Sequence, residues 1–315
     1  MDKLRAAVIG AGYMGKFHAE KLAACEGAAL AAVIDADAAR AKEIGAALGA
    51  AHATDYRAWL GKIDAACIAV PTELHERVAR DCLEAGVHVL IEKPLARTLA
   101  EADALLAAAR AKGLVLQVGH LQRFNPAFRA LAAQPGRALF IDIERLAPFK
   151  GRGTDVDVIL DLMIHDLDLA LALAEAPVAQ VSACGFRVLT EAIDIANARI
   201  EFADGCVASL SASRVSQAPV RKLRVFRHDG YVSADLQGQR LRHVRRAAGG
   251  AAIEEREETF DRADELAAQT DAFVRAVREG GAPRVSGEDG RAALALALRI
   301  GALIDERLRQ YSAIA

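Results

Sequence analysis

The chain has 315 residues, of which 53% are hydrophobic, and its 40 Lys and Arg against 42 Asp and Glu give a formal net charge of −2. This length suits two domains, and the near-neutral charge gives no reason to expect nucleic acid or an anionic membrane surface as a partner. No apolar run approaches the ~20 residues of a membrane span, and the N-terminal apolar run is too short for a signal peptide.

The five cysteines are scattered along the chain and include no C-x-x-C pair. Such an odd, dispersed set is typical of reduced thiols and of neither a disulfide framework nor a zinc site. We therefore expect a cytoplasmic protein without a bound metal.

Short apolar runs alternate with helical patterns over the first third of the chain. The apolar runs predict strands at residues 4–9, 28–35, 63–71, 86–94 and 113–120. The segments between them predict helices at residues 16–26, 36–49, 73–85 and 98–112. This alternation indicates right-handed βαβ units, and hence an α/β domain with a doubly wound parallel sheet over residues 1–120.

A glycine motif follows the first predicted strand. Gly10, Gly12 and Gly15 form G-x-G-x-x-G at the point where the strand ends and a helix opens. In that context the first glycine permits a tight turn, the second lets the backbone approach a pyrophosphate, and the third allows close helix–strand packing. Asp35 ends the second strand 20 residues past Gly15, where a carboxylate can accept hydrogen bonds from a ribose. These features predict a Rossmann dinucleotide-binding domain, the alternative being incidental glycines in a strand–turn–helix.

The residues around this motif bear on the choice of cofactor. Tyr13 and Met14 lie within the turn and are predicted to contact the cofactor. Ala36 follows Asp35, where a 2′-phosphate would favour Arg or Ser, so the sequence favours NAD over NADP. Arg40 lies one helical turn further on and could contact a 2′-phosphate, so NADP remains the alternative cofactor.

Polar residues follow two further strands of the predicted sheet. Pro71, Thr72 and His75 come after one strand, and Glu92 and Lys93 come after the next. Ligands of open α/β sheets gather beyond the carboxyl ends of the strands, so these side chains are candidates for the cofactor site. The alternatives are a solvated strand end for Lys93 and a water-exposed helix start for His75.

The pattern changes after residue 120, where a second domain is predicted over residues 121–315. Strand-like alternation covers residues 137–147, 179–189, 194–215 and 221–246, with ADG and HDG at hairpin turns. Two helices are predicted at 262–281 and 287–308, the second of which can pack back onto the first domain. The segment indicates an α+β domain with a large, mostly antiparallel sheet that has one open face.

A predicted helix at residues 161–173 carries Asp161, His165 and Asp168 at i, i+4 and i+7, and apolar residues occupy its other sides. Buried ionisable groups are usually partnered or functional, so the stripe is either a functional site or a self-satisfied polar edge. The basic run over residues 221–246 is predicted to be a solvated face offset by the acidic residues 254–258, with anion binding as the alternative.

The order and spacing of these motifs resemble the Gfo/Idh/MocA family of oxidoreductases. The resemblance rests on E-K-P at a strand end, D-x-x-x-H on a later helix and the closing segment 269–300, and it covers essentially the whole chain. It implies that Lys93, Asp161 and His165 meet at the nicotinamide. It also implies that Glu92 holds the nicotinamide ribose and that His75 lies near the cofactor.

Oxidation of a secondary alcohol requires a base for the hydroxyl proton. An imidazole titrates near neutral pH, so we expect His165 to be the base and Lys93 to position and polarise the oxygen, with the reverse assignment open.

Two stretches, VGHLQRFNPAF and DVDVILDLMIHDLDLAL, resemble the branch of that family that oxidises the 3-hydroxyl of UDP-N-acetylglucosamine, whose keto product goes on to a transaminase for lipid A or other surface polysaccharides. The resemblance implies that Arg123 and Asn125 contact the substrate, although Asn125 before Pro126 is also a plausible helix N-cap. Another sugar or inositol, a reductase using NADPH, and a sensor without turnover remain alternatives. The open sheet face predicts a homodimer or homotetramer.

Overall fold

The computed structural model describes residues 3–151, 156–247 and 252–312. Its contacts divide the chain into two compact units, which are Met1–Phe124 with Asp264–Leu294, and Asn125–Ala263 with Ala295–Ala315. The sequence predicts one boundary after residue 120, whereas in the structure the chain enters the first unit a second time. The helix predicted at 287–308 is divided, with its residues up to Leu294 in the first unit and those from Ala295 in the second.

The first unit is built on a parallel sheet. Its strands are β1 (Leu4–Ile9), β2 (Ala28–Ile34), β3 (Ala51–Ala53), β4 (Ala65–Ile68), β5 (His88–Ile91) and β6 (Leu116–Val118). They lie in the order β3-β2-β1-β4-β5-β6, and every pair is parallel. This is the doubly wound order of dinucleotide-binding folds, so the predicted fold class is confirmed for this part of the chain. Strand β3 was not predicted, because three residues are too few to show a periodic pattern.

Four helices connect these strands. They are α1 (Tyr13–Ala24), α2 (Ala38–Ala47), α3 (Thr72–Glu84) and α4 (Leu99–Lys112). Helix α4 begins at a cap, since the Thr98 side chain accepts a hydrogen bond from the Glu101 N–H, and it ends at Gly113 in the left-handed conformation. Helix α1 begins at Tyr13, directly after Gly12, which is three residues earlier than the predicted start at Lys16.

The returning segment supplies α7 (Glu265–Glu279) and the first part of α8 (Gly287–Ser312) to the first unit. Helix α7 joins the hydrophobic core of α1 through Phe273, and Lys21 forms a 2.7 Å ion pair with Asp264. These contacts are long-range in sequence, which is why the sequence pattern assigned the whole segment to the second domain.

The second unit is built on an eight-stranded sheet. Its strands are β7 (Phe140–Leu146), β8 (Val178–Phe186), β9 (Ile195–Phe202), β10 (Val207–Ser213), β11 (Val220–Phe226), β12 (Gly230–Asp235), β13 (Arg240–Arg246) and β14 (Ile253–Thr259). They lie in the order β14-β13-β12-β11-β7-β10-β9-β8, in which β7 and β10 are parallel and all other pairs antiparallel. The mostly antiparallel sheet confirms the prediction.

Strand β14 was not predicted, because its run of charged residues reads as an exposed segment. It pairs with β13, where Arg242 lies 2.6 Å from Glu255 and Arg245 lies 2.7 Å from Glu254. These side chains are half exposed or more. The structure therefore favours the solvated face over an anion site for this end of the basic run.

One face of the second sheet is buried. In β9 the residues alternate between exposed and buried, as a strand with one covered face requires. This unit also contains α5 (Pro126–Ala132), α6 (Ile164–Ala174) and the later part of α8, and α6 contacts β7 and β10. The part of the chain that the structure describes contains no helix long and apolar enough to cross a membrane.

Candidate active site

The glycine-rich turn joins β1 to α1 with close backbone approaches. Gly10 has φ +94°, and a Cβ at Gly15 would lie 1.8 Å from the carbonyl oxygen of Gly10, so both positions require glycine. No described atom lies within 4 Å of a Cβ placed at Gly12, which leaves that side of the turn open. Among the described residues no side chain caps α1, and its first turn holds no acidic residue. A helix N-terminus without a side-chain cap and without an acidic first turn is the arrangement that binds a pyrophosphate, so the turn fits a dinucleotide.

The other residues of the predicted cofactor turn are partly exposed. Tyr13 is 68% exposed and its ring contacts Phe17 edge-on, while Met14 is half-buried.

Asp35 ties the end of β2 to this turn. One carboxylate oxygen accepts a 2.6 Å hydrogen bond from the Ala11 N–H, and the other accepts a 2.8 Å hydrogen bond from the Asp37 N–H. A carboxylate has about four acceptor sites, so Asp35 keeps capacity for a ribose hydroxyl. Arg40 is half exposed and lies 3.5 Å from Asp37, which also caps α2.

Glu92, at the end of β5, is held by a residue that the sequence analysis missed. His18 of α1 is fully buried, and its Nε2 lies 2.7 Å from Glu92 Oε1. Burial opposes the charged imidazolium, but the neighbouring Cys67 and the hydrogen bond to Glu92 outweigh it and raise the pKa of His18 to about 10. Burial likewise opposes the charged carboxylate, yet His18 keeps the pKa of Glu92 below its ordinary value. The two residues therefore form a buried ion pair directly before Lys93.

Lys93 is half-buried and follows this pair, and its N–H donates to Glu92 Oε2 at 3.3 Å. His120, just beyond β6, is fully buried, and its burial together with the charges of Lys93 and Arg123 lowers its pKa to about 3. His120 is therefore an uncharged imidazole at neutral pH. Its position after a strand is the same signal that selected Glu92 and Lys93, and it could have been found in that way.

His75 is 1% exposed and links two strand ends. Its Nδ1 lies 2.9 Å from the carbonyl oxygen of Pro94 and its Nε2 lies 3.0 Å from that of Val70. Burial lowers the pKa of His75 despite these two acceptors. This geometry does not agree with the water-exposed helix start, since His75 braces the segments that carry Pro71 and Lys93. Pro71 precedes α3, and Thr72 is its first residue.

The two residues predicted to contact substrate differ in their surroundings. Arg123 is 14% exposed, and its guanidinium lies 3.6 Å from Asp289. Asn125 is fully buried, where its Oδ1 accepts hydrogen bonds from the Ala127 and Phe128 N–H groups and its Nδ2 donates to the carbonyl oxygen of Leu236. The structure thus favours the N-cap alternative for Asn125.

Asp161 and His165 lie where the helix changes its geometry. Residues Ile159–Met163 form a π-helical turn, and α6 follows it from Ile164. The i, i+4, i+7 stripe assumed one continuous α-helix, so its first residue is displaced relative to that expectation. Asp161 and His165 are half-buried, whereas Asp168 is 3% exposed.

Asp166, also in this helix, forms a buried ion pair that was not predicted from the sequence. Asp166 is 1% exposed, and Arg145 of β7 donates to it through Nε at 2.9 Å and through Nη2 at 2.6 Å. Two parallel N–H···O bonds give this pair a fixed geometry. The neighbour of His165 is therefore fixed to the sheet.

The candidate residues fall into two sets, each within one unit. Lys93, Glu92 and the cofactor turn belong to the first unit, while Asp161 and His165 belong to the second. The described residues hold no cluster of three or more His, Cys, Asp or Glu side chains suited to a metal ion. All five cysteines are described, and each is a free thiol.

Comparison with known proteins gives matches over most of the chain. Residues 4–120 match the oxidoreductase family with an NAD-binding Rossmann fold, and residues 141–233 match the GFO/IDH/MocA C-terminal domain. The UDP-N-acetylglucosamine 3-dehydrogenase of Acidithiobacillus ferrooxidans is 41% identical over 315 aligned residues, which cover 98% of this chain and 100% of that protein.

A solved structure of that dehydrogenase superimposes with a TM-score of 0.92 at 39% identity, covering 97% of this chain and 99% of that one. A more distant relative, the myo-inositol 2-dehydrogenase of Thermotoga maritima, is 27% identical, with 96% of this chain and 97% of that protein covered.

Proposed function

The chain belongs to the Gfo/Idh/MocA family of oxidoreductases, and from that premise we propose that it is an NAD-dependent dehydrogenase that oxidises the 3-hydroxyl of UDP-N-acetylglucosamine to a ketone. The observation that carries this proposal is the 41% identity to a dehydrogenase of that substrate, over 98% of this chain and 100% of that protein. The glycine-rich turn and Asp35 favour NAD as the cofactor, since both fit a dinucleotide. A ketone of this kind is a substrate for transamination, and we propose that the amino sugar is used for lipid A or another surface polysaccharide.

When bound, NAD supplies the two-electron acceptor for the alcohol carbon. The residues of the chain then have to remove the hydroxyl proton and stabilise the oxygen as the carbonyl forms. We propose that His165 accepts the proton and that Asp161, four residues earlier in the chain, orients the imidazole or stabilises its charge. Lys93 then donates a hydrogen bond to the oxygen, and its cationic head favours the developing negative charge.

The preference for NAD over NADP follows from charge. Asp35 presents a carboxylate where a 2′-phosphate would have to bind, and Arg40 is engaged by Asp37 at 3.5 Å. Both groups therefore disfavour the extra phosphate.

The test measures NADH formation by purified protein with UDP-N-acetylglucosamine, with NADP, myo-inositol and free sugars in parallel, and a carbonyl trap to draw off product. We expect turnover on the nucleotide sugar with NAD. In the His165→Gln variant kcat should fall by about 10²- to 10⁴-fold, because a positioned proton acceptor contributes that much. The matched control is His52→Gln, which removes an exposed histidine of β3.

Turnover of myo-inositol alone would support the dehydrogenase mechanism but contradict UDP-N-acetylglucosamine as the substrate. Tight NAD binding with no turnover on any of these alcohols would contradict the enzyme proposal in favour of a sensor.

We also propose that the protein forms a homodimer or homotetramer through the open face of its eight-stranded sheet, in a reducing cytoplasm that suits its free thiols. The support is the apolar content of exposed positions there, since Phe186 is 47% exposed and pairs in register with Ile195, which is 41% exposed. Light scattering should report a multiple of the 33.4 kDa chain mass. In the Phe186→Asp variant the mass should shift towards the single chain, and an unchanged mass would place the interface elsewhere.

A further inference from the structure

The π-helical turn that carries Asp161 is bounded by polar contacts on both sides. A π-helix closes its hydrogen bonds over one more residue than an α-helix, so the extra residue changes where every later side chain points. A shift of one residue in an α-helix turns a side chain by about 100°. The direction of Asp161 and His165 therefore depends on where the extra residue is held.

The contacts before the turn converge on Ile193, in the connection between β8 and β9. The Ile193 N–H donates to Asp157 Oδ1 at 2.8 Å, and its carbonyl oxygen accepts the Val158 N–H at 2.9 Å. The Asp161 N–H in turn donates to the carbonyl oxygen of Asp157 at 3.0 Å. The start of the turn is thus fixed relative to one peptide of a loop.

Ile193 is itself held by a buried ion pair. Arg214, which follows β10, donates from Nη2 to the Ile193 carbonyl oxygen at 3.0 Å and from Nε to Asp194 Oδ1 at 2.8 Å. Arg214 is 5% exposed and Asp194 is fully buried. One planar guanidinium therefore holds two adjacent residues in a fixed orientation.

Asp194 organises the rest of that loop. Its Oδ2 accepts hydrogen bonds of 2.7 to 2.9 Å from the three consecutive N–H groups of residues 188–190. Burial opposes the charged form, but these donors together with the Thr190 side chain hold the pKa of Asp194 well below its ordinary value. The loop that carries Ile193 is consequently rigid where it meets Val158.

The contact after the turn is the pair of Arg145 and Asp166. Because Asp166 directly follows His165, its two hydrogen bonds to β7 fix the first turn of α6 on the sheet. The extra residue of the π-helical turn thus lies between two segments, each of which is held by a buried arginine–aspartate pair.

We propose that the Arg214–Asp194 and Arg145–Asp166 pairs are positioning residues, which fix the register of the π-helical turn and thereby aim Asp161 and His165 at the substrate. The aim of these two side chains matters only if they serve the reaction, so the proposal rests on the proposed function. Loss of either pair frees one end of the turn, and the extra residue can then move.

The test uses Arg214→Lys and Arg145→Lys. Each keeps the positive charge, but an ammonium group cannot form the same pair of directed bonds. The control is Asp142→Asn, which breaks an arginine–aspartate pair with Arg224 in the same sheet, away from the turn. Hydrogen exchange is measured on peptides from 157–166 and from β9 and β10, and kcat is expressed per NADH-binding site, which removes unfolded protein from the comparison.

Exchange within 157–166 should rise roughly tenfold in each lysine variant, while β9 and β10 change by less than about twofold. kcat per site should fall by about 10- to 100-fold, as for a misplaced reactive group, with KM for NAD within about twofold of the parent value. The control should change neither quantity.

Unchanged exchange in 157–166, a uniform rise across the second unit, or an unchanged kcat per site would each overturn the positioning role. If the parent protein oxidises none of the alcohols, the proposed function fails first, and the exchange data alone then decide whether the pairs hold the turn.

Discussion

The two units stabilise their buried carboxylates with different cations. In the first unit Glu92 pairs with a histidine, whereas in the second Asp166 and Asp194 pair with arginines. A guanidinium stays charged at every pH that a protein tolerates, but an imidazolium can lose its proton. The charge of His18, which pairs with Glu92 beside Lys93, therefore depends on pH. The charge of Arg145, which pairs with Asp166 beside His165, does not change as pH rises from neutrality.

The difference matters because each pair adjoins a candidate catalytic group. Glu92, which pairs with His18 of α1, directly precedes Lys93 after β5, and Asp166 follows His165 in α6. A change in the first pair should therefore be visible in stability as a function of pH. A change in the second pair removes a cation that stays charged over the same pH range.

The largest effect is expected for Arg145→Met, which leaves the Asp166 carboxylate buried and unpaired. We expect the free energy of unfolding to fall by about 3–5 kcal/mol, measured by urea titration. The double variant Arg145→Met/Asp166→Leu should recover most of that loss, because an apolar pair of similar volume avoids burying a charge.

The double variant also separates stability from positioning. If the pair only stabilises the fold, the double variant should regain kcat together with stability. If the pair positions His165, stability returns and kcat stays low. A single variant within about 1 kcal/mol of the parent protein would show that Asp166 finds another partner or takes up a proton.

The fold was predictable where the signal is local. The alternating apolar runs of the first unit and the glycines after β1 carry their meaning within a few residues, so both were predicted. Strand β14 was missed because its side chains are charged, and it is a strand because β13 offers opposite charges across the ladder. The π-helical turn was missed because its residues read as an ordinary helix.

The candidate site was predictable only in part, for the same reason. Polar residues after strands selected Glu92 and Lys93 from sequence, since the topology of a parallel sheet gathers strand ends. Nothing near His18 in sequence indicates that it meets Glu92, 74 positions away. The pairing of Asp166 in α6 could not be predicted either, because its partner Arg145 lies in β7, 21 positions away in sequence. Partners that tertiary structure alone brings together leave no periodic signal.

A pH-dependent effect is expected at His18, and its sign follows from the direction of the pKa shift. The folded protein holds the pKa of His18 at about 10, above the ordinary value of 6.5. The stabilisation is therefore fully present below about pH 6.5 and is lost as pH rises towards 10, because the native state then retains a proton that the unfolded chain has released.

Over that range His18 should contribute a decline of about 1.4 kcal/mol in the free energy of unfolding per pH unit. Urea titrations at several pH values from neutrality upwards should show a flatter dependence for His18→Gln than for the parent protein. His52→Gln is the control, because it removes an exposed histidine and should leave the slope of the parent protein unchanged. Parallel slopes for His18→Gln and the parent would mean that His18 is uncharged in the native protein, and the contrast between the two kinds of buried pair would then be lost.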